Sequence, residues 1–398
     1  LVLGLICIAL FRDNKMGARS YSFPILLISL LFVTISLSTL NTQVPLWLVH
    51  NQFPVWQIGL VGSSYFVGNL IGTIIANWII GKFNAKKTYS YVCILFALAT
   101  LGLSLSMDVY SWSFWRLIIG IACAVTWVIV ESCILVTGTV RTRGKMLAVY
   151  MTTYYLGTVF GQALLRYFPI DVLYFGLVIS TLMALAILFI ALTHYKLPKK
   201  KKSSFNLMPM LVHKQARLGL MGCVIAGMII GSFYSLLPAY YAHLGYDDSQ
   251  VANWMIILIT SGVIAQIPVG WIADRYGKQK LLIIEMIIAT LACMMLIAGV
   301  FDVIATILLG ATIYTVYPIS MAWACETVKK QDIVTMNQTM LLVNTLGSLV
   351  APALIALAMD KLGNDYLFVS IVLISIYFVW LLSRSLIKNR WSRHAGSF

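Results

Sequence analysis

The 398 residues predict an all-α membrane protein of twelve transmembrane helices in two six-helix bundles, and three observations carry that prediction. The chain is 61% hydrophobic and only 10% charged, with a mean hydropathy of +0.91. Its apolar residues form twelve continuous stretches, each near the ~20 residues a helix needs to cross a bilayer. Lysine and arginine collect in alternate gaps between those stretches, the pattern that topology imposes on a multi-span chain. A water-soluble domain carries about 25% charged residues to keep its surface solvated. This chain cannot do so, and lipid must cover it.

The first bundle is expected over residues 22–193, after an N-terminal segment 1–21. Its spans fall near 22–49, 57–81, 88–107, 112–137, 146–166 and 171–193. Arg12, Lys15 and Arg19 precede the first span. Lys82, Lys86 and Lys87 part the second from the third, and Arg141, Arg143 and Lys145 part the fourth from the fifth. Each stretch is unbroken and lacks the two-residue alternation of a barrel strand, so a helix is the way to satisfy its backbone in hydrocarbon. The second bundle, 217–388, repeats the scheme with spans near 217–243, 250–273, 281–300, 303–325, 333–358 and 365–387. A tail, 389–398, follows it.

Between the bundles, residues 194–216 read as a solvated linker, with the run Lys199 to Lys202 followed by Ser203 and Ser204. In all, 25 of the 28 basic residues belong to one side of the membrane; only Arg166 and Lys361 lie on the other, and Arg116 lies inside a span. Both termini and the linker are therefore expected in the cytoplasm, which requires an even number of spans. The net charge of +15 thus reflects topology and gives no reason to expect a nucleic-acid partner. Met16 directly precedes a basic flank, so residues 1–15 are expected to lie upstream of the natural start.

Seven scattered cysteines without paired spacing read as small buried hydrophobes, and five unpaired histidines give no metal site. No nucleophile with a neighbouring base, phosphate loop or nucleotide motif is present. The expectation is a protein that is not an enzyme and has no cofactor.

The two bundles echo one another at a constant offset of 193 residues. Pro45 and His50 match Pro238 and His243, and Gln57 matches Gln250. Asn77-Trp-Ile-Ile-Gly81-Lys82-Phe aligns with Gly270-Trp-Ile-Ala-Asp274-Arg275-Tyr. Internal repeats of this kind place a binding site at their interface in secondary transporters.

The stretch Gly270, Asp274, Arg275, Gly277 and Lys278 resembles the G-x-x-x-D-R-x-G-[RK] signature of the major facilitator superfamily, a cytoplasmic clasp between helices 8 and 9. Its first-half copy is degraded, with Asn77, Gly81, Lys82 and Asn84 at the matching positions. Arg116 and Gly120 resemble the superfamily's R-x-x-x-G element in helix 4. Further segments make the chain similar to the YcaD group of bacterial facilitator-superfamily proteins. They are Leu40-Asn41-Thr42, Pro45-Leu46-Trp47-Leu48, Ser63-Ser64-Tyr65-Phe66, Trp127 through Glu131-Ser132, Tyr317-Pro318, and Met321 through Glu326. The resemblance implies twelve helices, an inner-membrane location and alternating access, and no substrate comes with it.

The polar residues inside the spans are the candidate site. Arg116 is the strongest, because a charge in hydrocarbon costs ~2.5–3.5 kcal/mol even on the lenient insertion scale and such residues face a cavity or a partner. Asn41 and Gln43 lie at similar depth and are expected to solvate it. Trp127, Tyr150, Tyr154, Gln162, Tyr234, Tyr314, Tyr317 and Asn344 are expected to line a polar, aromatic cavity bounded by helices 1, 4, 7 and 10. Glu131 and its expected second-half counterpart Glu326 are candidates for proton coupling, or for a cytoplasmic latch paired with Arg275, Lys82 or Arg141. Glu285 is a more distant coupling candidate. The function expected is secondary or facilitative transport of a small solute by a monomer, with a membrane-embedded sensor on the same fold as the alternative.

Overall fold

The computed structural model describes residues 19–105, 108–137, 143–167, 172–193, 214–326 and 333–395. They form twelve α-helices. The first six are α1 (Arg19–His50), α2 (Val55–Phe83), α3 (Ala85–Leu105), α4 (Val109–Thr137), α5 (Arg143–Tyr167) and α6 (Val172–Ala191). The rest are α7 (Lys214–His243), α8 (Asp248–Tyr276), α9 (Lys278–Ala298), α10 (Asp302–Cys325), α11 (Ile333–Leu362) and α12 (Tyr366–Ala395). The segment 1–15, the Lys199 to Lys202 run and Arg141 lie outside the described residues.

Several helices overrun the apolar stretches that predict them, because backbone bonding continues until the chain is in water. Thus α2 runs from Val55 through Lys82, and α12 continues past 387 through Lys388, Arg390 and Arg393. Eleven of the described helices are long and apolar enough to cross a membrane. The remaining one, α5, opens with Arg143 and Lys145 and carries Thr152, Thr153, Thr158 and Gln162. Its polarity is turned inward: Thr153, Thr158 and Gln162 are all buried.

Two compact units result. One comprises residues 1–44 and 64–202, the other 45–63 and 203–398. In the first unit α3 packs on α4 and α6. Helices α2 and α4 approach to backbone contact: a Cβ added at Gly68 or Gly72 would collide with the carbonyl of Leu117 or Ile121, and one at Gly120 with the carbonyl of Tyr65. Small residues at such crossings substitute close packing for the hydrophobic drive that lipid does not supply. The α1–α5 seam works the same way, with Gly157 against Thr34 and Gly161 against Ile35 and Ser38. Ser38 Oγ donates to the Thr158 carbonyl at 2.7 Å, and Thr39 Oγ1 to that of Gly161 at 3.1 Å.

In the second unit α7 packs on α11 and α10, while α9 packs on α10 and α12. Gly227 and Gly231 of α7 meet Asn344 and Ser348 of α11, and Gly347 meets Val224. The matched seams distribute their glycines differently. Thr34 and Ser38 of α1 occupy the positions of Gly227 and Gly231, so the glycines named fall on α5 in the first unit, and on α7 and, at Gly347, α11 in the second. Residues 55–63 belong here because the start of α2 is capped by α11: the Val55 N–H donates to Asp360 Oδ1 at 3.2 Å.

The 193-residue echo is physical as well as textual. Lys82 stands 5.4 Å from the Trp78 ring centroid, and Arg275 stands 5.2 Å from that of Trp271. Lys86 Nζ donates to the Thr193 carbonyl beyond α6 at 3.0 Å, while Gln279 Nε2 donates to the Leu382 carbonyl of α12 at 3.0 Å.

Candidate functional site

The centre of the first unit is Arg116, seven residues into α4 and therefore ~10 Å from the start of the helix at 1.5 Å per residue. It is only 4% exposed. Gly120, one turn later, lets α4 lie against α2, which brings the Tyr65 ring under the guanidinium at 4.9 Å. Arg116 Nη2 donates to Asn41 Oδ1 at 2.9 Å, whereas Nε and Nη1 have no partner among the described residues. Gln43 is buried, and of the two amides expected to solvate the arginine it is Asn41 that accepts its hydrogen bond. Tyr65 entered the sequence reading only as part of a family resemblance. Its role was invisible because an arginine–ring contact across two helices leaves no periodic trace.

Deeper along α4, the half-buried Trp127 packs edge-on against Tyr154 of α5 at 5.4 Å, and Tyr154 against Tyr155 at 5.3 Å. Glu131, one turn beyond Trp127, is hydrogen-bonded to the buried Tyr150 of α5. Gln162 has a different role from these aromatics. Its Nε2 donates to Ser38 Oγ at 2.9 Å and to the Ser38 carbonyl at 3.1 Å, and its Oε1 accepts from Thr42 at 2.9 Å. Both amide protons are engaged and the residue has no exposed surface, so Gln162 ties α5 to α1.

In the second unit the hydroxyls of Tyr234 and Tyr314 meet at 2.9 Å with their rings edge-on, joining α7 to α10. Gly262 of α8 makes room for the Tyr314 ring. Asn344 Nδ2 donates to the Cys223 carbonyl at 3.0 Å, and the half-buried Tyr317 packs against the cluster of Ala216, Cys223, Ala324, Met336 and Met340. The helix 10 register corrects one expectation. Gly120 packs on the Tyr65 carbonyl and Gly310 on that of Leu258, so the matched positions on α4 and α10 differ by 190 residues. Glu131 therefore corresponds to Met321, and Glu326 is not its counterpart.

The signature stretch forms a built corner. Gly277, at φ +92°, ends α8 and starts α9 in a backbone conformation that favours glycine. At the matching first-half position Asn84 takes φ +62°, and its Oδ1 accepts the Lys87 N–H at 3.0 Å. Asparagine tolerates the left-handed region and caps α3 at the same time, so the degraded copy keeps its turn. Lys278 is the hub of the corner, 3.1 Å from Asp274 and 2.7 Å from Glu326 at the end of α10. The cation bonded to Glu326 is thus Lys278, while Arg275 stacks on Trp271 and Tyr276. Asp274, Lys278, Trp323 and Glu326 line a cleft of about 310 Å³ there. A Cβ at Gly270 would meet nothing within 4 Å.

Twelve membrane helices that repeat internally, with charged and aromatic groups buried between them, make up a membrane transporter. The sequence matches the Major Facilitator Superfamily over residues 26–352, and the chain belongs to that family. It is 44% identical to an MFS-type transporter of Yersinia enterocolitica over 92% of this chain and 96% of that one. With the MFS-type transporter YcaD of Escherichia fergusonii it shares 37% identity over the same proportions. Among solved structures, the nucleoside transporter NupG superposes with a TM-score of 0.78 at 13% identity, covering 90% of this chain and 98% of NupG. A bacterial homologue of the lysosomal transporter Spinster superposes with a TM-score of 0.74 at 14% identity, covering 94% and 99%. At such identities the likeness speaks to the fold.

Proposed function

We propose that the protein carries a small solute across the membrane by alternating access, as a secondary transporter, and that an anionic group of the solute is seated at Arg116. The observation carrying this reading is the buried guanidinium itself. Among the described residues it holds one neutral amide and one ring, pairs with no carboxylate, and has no partner for two of its nitrogens. Holding a cation in such surroundings is costly, and its planar fork of donors suits a carboxylate.

Asn41, Gln43, Trp127 and Tyr154 belong to the solute's surroundings in the first bundle, and Tyr234, Tyr314, Tyr317 and Asn344 in the second. Gln162 is assigned to bracing. Glu131, with its Tyr150 partner, is the group through which a proton gradient drives accumulation, and the Glu326–Lys278 pair acts as a latch. The bundles are 22–193 and 217–388, joined by the linker 194–216. The protein acts as a monomer in a bacterial inner membrane with both termini in the cytoplasm.

The test is a thermal-shift screen of purified protein against a panel of mono- and dicarboxylates, with uncharged solutes of similar size as controls. A carboxylate that stabilises the wild type and leaves Arg116→Ala unmoved supports the reading. Stabilisation by uncharged solutes alone, equal in both proteins, defeats it.

A further inference from the structure

Buried between α9 and α10 is a carboxyl that the transport reading above leaves unused. Glu285 is 3% exposed and stands seven residues into α9, ~10 Å from the helix start. Its Oε1 is hydrogen-bonded to Thr315 Oγ1 of α10, and its Oε2 has no partner among the described residues. Thr315 Oγ1 also lies 2.7 Å from the Thr312 carbonyl and 3.0 Å from that of Ala311.

Counting protons decides what this cluster holds. A threonine hydroxyl has one hydrogen, and here three acceptors surround it. If Thr315 gives that hydrogen to a carbonyl of its own helix, the contact with Glu285 has a proton only if the carboxyl supplies it. If Thr315 instead serves an ionised Glu285, the carboxylate has a single neutral donor, one bare oxygen and no cation. A lone carboxylate taken out of water with so little compensation is the less favourable arrangement.

The charged groups on the packed helices offer no relief. On α9 itself Lys278 and Lys280 stand at the helix start, and Lys278 is committed to Asp274 and Glu326. Helix α8 carries Asp248, Asp274 and Arg275 at its two ends. Helix α10 carries Asp302 at its start, with Glu326 just beyond its end and the phenols of Tyr314 and Tyr317 between. On α12, Arg384 stacks on Trp380 near the basic end of the helix, and the phenol of Tyr377 is half exposed.

The first bundle provides an internal control. With the 193-residue offset of α3 and α9 and the 190-residue offset of α4 and α10, Glu285 corresponds to Val92 and Thr315 to Val125, both buried. Two valines fill the same place in the α3–α4 packing, so the fold does not need an acid and a hydroxyl there. We propose that Glu285 and Thr315 form a proton-binding site in the second bundle. The carboxyl carries a proton, which it donates in a hydrogen bond to Thr315 Oγ1.

The inference builds on the transport reading for its purpose, but its test does not depend on any solute. Infrared difference spectra of purified protein, wild type minus Glu285→Gln, are recorded at neutral pH in water and in deuterium oxide. The expected result is a protonated-carboxyl stretch that shifts on deuteration and is absent from Glu285→Gln. In Thr315→Val the same band should move to the higher frequency of a carboxyl without a hydrogen-bond acceptor. A carboxylate stretch in its place overturns the proposal, and so does an acid band that Thr315→Val leaves unmoved. Should Glu285→Gln fail to fold, alkaline titration of the wild type against Thr315→Val serves instead: the acid band must convert reversibly to carboxylate in the wild type, and at a different pH in the variant. Equal titration in both contradicts the shared site.

Discussion

Substituting alanine at two glycines measures the α2–α4 crossing beside Arg116. At Gly120 the added Cβ would land on the Tyr65 carbonyl oxygen and lie 2.8 Å from the Asn69 nitrogen, backbone atoms that cannot rotate away. At Gly270 it would meet nothing within 4 Å. Replacing a helical glycine by alanine gains ~1 kcal/mol of helix propensity wherever space permits. Forcing extra volume into a packed contact costs ~1–3 kcal/mol. The propensity gain is common to both variants, so the difference between them isolates the cost of overpacking. Gly270→Ala is expected to melt at or slightly above the wild type. Gly120→Ala should melt below Gly270→Ala by the equivalent of ~1–3 kcal/mol, several degrees for a domain the size of one bundle. A thiol-reactive dye reads the unfolding directly, because five of the six described cysteines are buried. The Tyr65 ring should also slip from its place under Arg116, weakening the solute-induced shift. Equal melting temperatures for the two variants would refute the claim that α2 and α4 touch at this glycine.

Three further outcomes are expected. Lys278→Ala removes the ion pairs to the exposed Asp274 and to the half-exposed Glu326; it should cost ~0.2–1 kcal/mol per pair and lose that effect in high salt, as melting in low and high salt will show. Asn84→Ala should destabilise by ~1–2 kcal/mol through backbone strain plus ~0.5–2 kcal/mol for the lost cap, whereas Asn84→Gly should cost less than half as much. Glu131→Gln should abolish accumulation driven by a pH gradient while exchange across vesicle membranes stays measurable; normal accumulation would remove Glu131 from coupling.

The positions of the helices were legible in the sequence because lipid makes one strong demand, an unbroken apolar run, and positive residues mark alternate gaps. The repeat was legible for a related reason: Trp78 with Lys82 and Trp271 with Arg275 stand at matching helix ends, where local chemistry is enough to recognise them. What packs against what was not legible. Thr34 opposite Gly157, and Gly227 opposite Asn344, obey a rule about the sum of two side-chain volumes, and no single helix displays that sum. The same holds for polar satisfaction. Gln162 looked like a cavity residue until its amide was seen to be spent on Ser38 and Thr42, while Thr315 gave no signal because its acid lies 30 residues away on another helix. Helix ends were misjudged by a few residues, since hydropathy falls at the headgroups before the helix stops.

Reconstituted vesicles test the central claim most directly. Labelled organic acids are presented to vesicles containing wild type, Arg116→Lys or Arg116→Ala. At least one acid should enter the wild-type vesicles saturably, enter more slowly with lysine, which keeps the charge but not the fork, and fail to enter with alanine. Saturable binding without entry, or entry that Arg116→Ala leaves unchanged, would contradict the account.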